Sequence, residues 1–161
     1  MQNYAYVAKN LEIKEKNELH FPYMDYGFLY GYGLFETLHI KDGRPILLSE
    51  HYKRMKRGSI ILEMPFNYTE EEVQTSVQAL IEKNNAKDAI LNIYLTPGDR
   101  ESGSLETSFN EVLMLKVLRP MNPALVSSEQ RLIVQEESFQ RTPINRLKTL
   151  SYIKNILERL V

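Results

Sequence analysis

Cysteine is absent from this chain of 161 residues, which rules out a disulfide framework and a thiolate metal site. Its three histidines, His20, His39 and His51, are scattered and give no metal-ligand spacing. Twenty Lys plus Arg against 21 Asp plus Glu leave a net charge of -1, so no overall field draws the chain to nucleic acid or an anionic membrane. No apolar run approaches the roughly 18 residues of a membrane span, and the opening MQNYAYVAKN lacks the basic-then-apolar order of a signal peptide. These absences predict a cytoplasmic protein that binds neither nucleic acid nor membrane. Walker and dinucleotide glycine signatures, internal repeats and low-complexity tracts are missing too. No serine or cysteine stands where His51 would complete a nucleophilic triad.

What is present concentrates in residues 25 to 37, DYGFLYGYGLFET. Gly27, Gly31 and Gly33 sit among aromatics, and the run closes on Glu36 and Thr37. Glycine packs nothing and loses the most entropy on folding, so three of them imply turns or a close backbone approach to a ligand or another chain. A hairpin edge with glycine bulges is the plainer reading of the same composition.

Periodicity gives strands and helices in alternation. Short strands are expected over 3–8 and 11–14, and a longer one over 33–40 with Leu34, Glu36, Leu38 and Ile40 on one face and Phe35, Thr37 and His39 on the other. An Asp42-Gly43 turn leads into PILL as the returning strand, and Ser49 is positioned to cap a helix over 50–62. A Thr69-to-Glu72 capping box opens a second helix with Val73, Val77, Leu80 and Ile81 at helical spacing, ended by Asn84-Asn85. Strands over 88–96 and 110–118 flank the polar loop PGDRESGSLETS and read as an antiparallel pair with a long tip. A linker over 119–130, a strand over RLIVQ, and a helix over TLSYIKNILERLV carrying Leu150, Ile153, Leu157 and Leu160 on one face complete the chain. The fold class is α+β, a mostly antiparallel sheet packed by two helices.

Two cations are candidates for chemistry. Arg54 lies one helical turn past Glu50 and His51, where a guanidinium can clasp a phosphate or carboxylate through two hydrogen bonds; an ordinary i,i+4 pair with Glu50 fits the same spacing. Lys148 stands at the junction of an irregular segment and an apolar-striped helix. Partial burial there would lower its pKa from about 10.4 toward the range of an amine nucleophile, whereas most lysines are solvated surface groups.

Taken in order, DYGFLYGYGLFETLHIKDGRPILLSEHYKRM (25–55), NIYLTPGD (92–99) and NRLKTLSYIKNIL (145–157) resemble the fold-type IV pyridoxal-phosphate enzymes, the class IV aminotransferase family. Within it, the form GFLYGxGxFET is most similar to the 4-amino-4-deoxychorismate lyases. The resemblance implies pyridoxal 5'-phosphate as cofactor, a small-molecule substrate and a homodimer. It makes Lys148, in KTLSY, the residue that bonds to the cofactor aldehyde and shuttles the proton, Arg54 a contact of the cofactor phosphate, and Phe35 and Thr37 the substrate-facing wall. A lyase of this kind would release pyruvate and 4-aminobenzoate, a folate precursor; branched-chain or D-amino-acid transamination is the alternative within the family, and a non-catalytic N-terminal remnant the alternative outside it.

Two departures qualify the resemblance. Thr96-Pro97-Gly98 puts proline where several family aminotransferases carry an arginine for a substrate carboxylate, which favours the lyase. The chain also stops soon after Lys148, whereas family members continue into a domain with an acid for the pyridine nitrogen and a phosphate cup. The expected organisation is an N-terminal domain over 1–118, the linker over 119–130, and the start of a truncated cofactor-binding domain over 131–161.

Overall fold

The computed structural model describes residues 4–99, 112–120 and 142–157. In chain order the elements are strands β1 (Tyr6–Lys9) and β2 (Glu12–Glu15), helix α1 (Tyr26–Tyr30), strands β3 (Leu34–Lys41) and β4 (Arg44–Pro45), helices α2 (Leu48–Ile61) and α3 (Glu70–Lys83), strands β5 (Ala89–Thr96) and β6 (Val112–Pro120), and the short helix α4 (Ile153–Leu157). The six strands form one sheet in the order β2-β1-β6-β5-β3-β4, every neighbouring pair antiparallel. The expected α+β class, an antiparallel sheet packed by two helices, is what forms.

β3 alternates as its sequence requires: Leu34, Glu36, Leu38 and Ile40 are buried, and Phe35, Thr37 and His39 half-buried on the other face. The buried face packs on α2, where a methyl at Gly58 would lie 2.9 Å from a Leu34 methyl. α3 opens with the reciprocal Thr69–Glu72 capping box and ends at Asn84. Its stripe of Val73, Val77, Leu80 and Ile81 enters the core with Leu91, Ile93 and Leu95 of β5 and Leu113, Leu115 and Val117 of β6. Each large side chain buried this way contributes about 1.5–3 kcal/mol, enough to hold a polar-faced helix against the sheet.

Several local expectations are corrected. The glycine–aromatic run is no hairpin edge: residues 26–30 form one helical turn, because Asp25 accepts hydrogen bonds from Gly27 N–H (2.6 Å) and Phe28 N–H (3.4 Å) and so caps it. Gly31 ends the turn at φ 66°, where L side chains are strained. Gly33 allows a close approach, since a Cβ there would lie 2.7 Å from the Leu95 carbonyl oxygen and 2.6 Å from a Leu150 methyl. Ser49 caps nothing; the chain turns at Leu47 in the left-handed region, α2 begins at Leu48, and the return strand shrinks to Arg44–Pro45. The C-terminal helix is shorter than its apolar stripe suggests. Thr149 bridges to Leu34 along the sheet edge and Leu150 N–H donates to the Gly33 carbonyl, which ties this segment to β3 and delays α4 to Ile153, leaving Ile153 and Leu157 exposed. β6 runs to Pro120, two residues into the expected linker. The rest of that linker, the tip of the β5–β6 loop over 100–111, the expected strand over RLIVQ and residues 158–161 lie outside the described residues. Among the described residues no helix is long and apolar enough to cross a membrane.

Candidate active site

Glu36 sits on the core face of β3 and is 1% exposed. An ionised carboxylate there needs compensation, and α2 supplies it from residues three apart on one face. Arg54 grips Glu36 with two N–H groups, Nε donating to Oε1 at 2.6 Å and Nη2 to Oε2, while His51 Nδ1 donates to Oε2 at 2.8 Å. Since an ionised carboxylate only accepts, Nδ1 is the protonated nitrogen of His51. Burial pushes the Glu36 pKa up, but the hydrogen bonds and charges of Arg54 and His51 outweigh it and hold the carboxyl below its ordinary value. The hydrogen bond to Glu36 raises the Arg54 pKa in turn. The arginine side chain is 51% exposed, so its outer N–H groups remain open to solvent.

Lys148 reaches the same place from the other end of the chain. Phe35 N–H donates to the Lys148 carbonyl at 2.9 Å and Leu150 N–H to the Gly33 carbonyl at 2.9 Å, so residues 148–150 run as an added strand along the edge of β3. The amine Nζ lies 4.8 Å from the centre of the Phe35 ring. Burial lowers its pKa, the Glu36 charge opposes that, and the Arg54 charge adds to it. Phe35 is fixed by an edge-on contact with Tyr152 at 5.2 Å and a stacked one with Tyr94 at 6.5 Å.

Beside this wall opens an apolar cavity of about 470 Å³, lined in part by Phe21, Tyr23, Phe28, Tyr94, Met114 and Leu150. Its rim is tied by Asp25, 2% exposed, which accepts from the Thr96 hydroxyl at 2.7 Å, and by Tyr26 N–H, which donates to the Gly98 carbonyl at 2.9 Å. The start of the β5–β6 loop is thereby locked to α1.

The structure sets Lys148 against the Phe35 ring and within range of the charges of Glu36 and Arg54; Phe35 and Thr37 lie on the face of β3 opposite the one that carries Glu36 and its partner Arg54. Arg54 does not pair with Glu50, as the helical spacing allowed; Glu50 takes Lys53 at 3.5 Å and Arg54 takes the buried Glu36. Glu36 and His51 belong to the cluster and were not singled out by sequence reasoning. The signal was available: an acid at an inward position of an alternating strand must find donors, and HYKR offers a guanidinium and an imidazole N–H on one helical face.

With that geometry in place, a sequence model of the class IV amino-transferases matches residues 33–160. The chain belongs to the class IV aminotransferases. This class IV chain is 28% identical over 153 residues to an aminodeoxychorismate lyase of Bacillus subtilis, covering 89% of its own length and 50% of that protein. In fold it matches a branched-chain amino acid aminotransferase of Escherichia coli with a TM-score of 0.80 at 18% identity, covering 96% of this chain and 55% of that one. A hypothetical aminotransferase from Mycobacterium tuberculosis in its PLP-bound form gives a TM-score of 0.72 at 20% identity, covering 96% of this chain and 56% of the other. The class IV chain thus spans about half the length of each of these proteins.

Proposed function

We propose that this chain carries the lysine and the substrate-facing wall of a pyridoxal-phosphate lyase acting on 4-amino-4-deoxychorismate. The observation that carries the cofactor assignment is Lys148 lying on the Phe35 ring within range of the Glu36–Arg54 pair. The donor set fits the group. Lys148 is an amine of lowered pKa on an aromatic face, and Arg54, with two N–H groups on Glu36, keeps others for a phosphate.

Bound pyridoxal phosphate supplies an electron sink for the pair left when a proton leaves the amine-bearing carbon of the substrate. The rest falls to this chain. Lys148 is a nucleophile because burial favours its neutral form, and the same nitrogen takes and returns the proton. Arg54 binds the phosphate, and Glu36 keeps the guanidinium oriented by two hydrogen bonds. Phe35, braced by Tyr94 and Tyr152, sets the plane against which a flat substrate lies. Loss of pyruvate leaves an aromatic ring, which drives the reaction forward.

The lyase is preferred to transamination because the described start of the β5–β6 loop, Thr96 to Asp99, holds no arginine, and the Thr96 hydroxyl is engaged by Asp25. With the lyase reading go an N-terminal domain through the end of β6, a linker from there to residue 130, a contribution of residues 131–161 to a cofactor-binding domain, and a cytoplasmic homodimer. The test is to supply the purified chain with pyridoxal phosphate and 4-amino-4-deoxychorismate. Release of pyruvate and 4-aminobenzoate without any amino acceptor is expected; turnover only when a 2-oxo acid is added, or none, overturns the lyase reading.

A further inference from the structure

The face of the sheet turned away from α2 and α3 carries a polar row that the chemistry at Lys148 does not use. Thr37 of β3 is directly opposite Asn92 of β5, and Asn92 is directly opposite Lys116 of β6. Directly opposed residues of antiparallel strands point to the same face with Cβ atoms about 4.5–5.5 Å apart, so the three side chains form a band across the sheet. Asn92 is 8% exposed, and its Oδ1 has no hydrogen-bond partner among the described residues. A buried polar atom left without a partner is rare in a native protein and is tolerated where a ligand supplies one.

The chemistry of that ligand follows from the neighbours. Asn92 Nδ2 lies 2.6 Å from the Tyr94 hydroxyl, which can donate as well as accept. Turning the amide by half a turn keeps that bond, with Tyr94 donating to Oδ1, and presents the Nδ2 hydrogens to the band. The row then consists of donors: the Lys116 ammonium, the Asn92 amide and the Thr37 hydroxyl. Lys116 makes no ion pair with another described residue. His39 follows Thr37 on this face; its Nε2 also has no hydrogen-bond partner among the described residues, and with Asp88 Oδ1 at 3.9 Å it lies beside that acid rather than in the row.

We propose that Lys116, Asn92 and Thr37 form a carboxylate subsite on the open face of the sheet, so that the site takes a ring with an amine at one end and a carboxylate at the other. Thr37 lies two residues along β3 from Phe35, about 7 Å, which matches a six-membered ring spanning from an amine at Lys148 to a carboxylate at the row. The subsite deepens the lyase reading and rests on it for the amine end only. An amino acid with a short apolar side chain leaves the row unfilled.

The experiment is equilibrium binding of 4-aminobenzoate and its uncharged relative 4-aminobenzamide to the full chain, without cofactor and without turnover. The acid is expected to bind at least tenfold more tightly than the amide. Lys116→Gln and Asn92→Leu should each weaken the acid about tenfold and leave the amide unchanged. Asn92→Asp, which keeps size and polarity and so guards against misfolding, should abolish the preference for the acid. Equal binding of acid and amide, or variants that bind the acid like the wild type, overturns the subsite. A preference for the acid that depends on Asn92 and Lys116, in a chain that releases no pyruvate, upholds the subsite and removes the lyase. Pyruvate release without that preference does the reverse.

Discussion

Replacing Glu36 by glutamine separates the structural and electrostatic roles of the buried carboxylate. The substitution keeps shape, removes the charge, and sets an amide N–H₂ against donors from Arg54 or His51. Removing one partner of a fully buried ion pair costs about 3–5 kcal/mol, but Arg54 is half-exposed and its freed charge is solvated, so about 2–3 kcal/mol is expected. For a chain of this size that lowers Tm by about 5–10 °C. The loss depends on pH in a defined direction. Because the folded pKa of Glu36 lies below its unfolded value of about 4.3, the wild-type advantage is fully present above that value and fades as pH falls through the folded pKa. Urea unfolding of both proteins at pH 7 and pH 4 measures it. Glu36 also raises the Lys148 pKa, so the variant should be less stable and yet have a more readily deprotonated Lys148. A difference below about 0.5 kcal/mol at pH 7, or one that does not shrink toward acid, would refute the ion-pair account.

Other perturbations test the supports of the site. Asp25→Ala removes the cap of α1 and strands the buried Thr96 hydroxyl, so a loss of about 2–4 kcal/mol in urea unfolding is expected, with faster amide hydrogen exchange at Gly27 and Phe28. Gly33→Ala places a methyl 2.7 Å from a backbone oxygen and should cost about 1–3 kcal/mol while loosening residues 148–150 from β3. Acylation rates against pH should then show the Lys148 pKa returning toward that of a solvated lysine; a rate profile like wild type would show that the edge pairing does not bury the amine. Arg54→Ala should weaken affinity for pyridoxal phosphate by about 1.5–3 kcal/mol, measured by absorbance titration, and unaltered affinity would leave Arg54 a partner of Glu36 alone.

Much of this was legible in the sequence where one physical rule dominated. Strict alternation in Leu34–Lys41 fixed which residues face the core, and the Thr69–Glu72 capping box placed the start of α3. The resemblance picked out Lys148, Arg54 and Phe35, and the fold sets Lys148 against the Phe35 ring and Arg54 against Glu36. What was not legible depended on long-range pairing. Nothing local tells Arg54 to prefer Glu36, 18 residues earlier, over Glu50 one turn away; burial of the acid decides it. Likewise the stripe through Leu150, Ile153 and Leu157 reads as one helix, because sequence periodicity cannot register that β3 has a free edge at Leu34 for Thr149 to take. The glycine–aromatic run misled for the opposite reason: its aromatics suggested a strand, and Asp25 with Gly31 made a capped turn of it.

The central claim is that Lys148 is the residue that holds pyridoxal phosphate. The direct measurement is borohydride reduction of the chain with the cofactor present, followed by peptide mapping by mass spectrometry. The account predicts one stoichiometric adduct, on Lys148, lost in Lys148→Ala. An adduct spread over surface lysines at comparable levels, or none on Lys148, would contradict it.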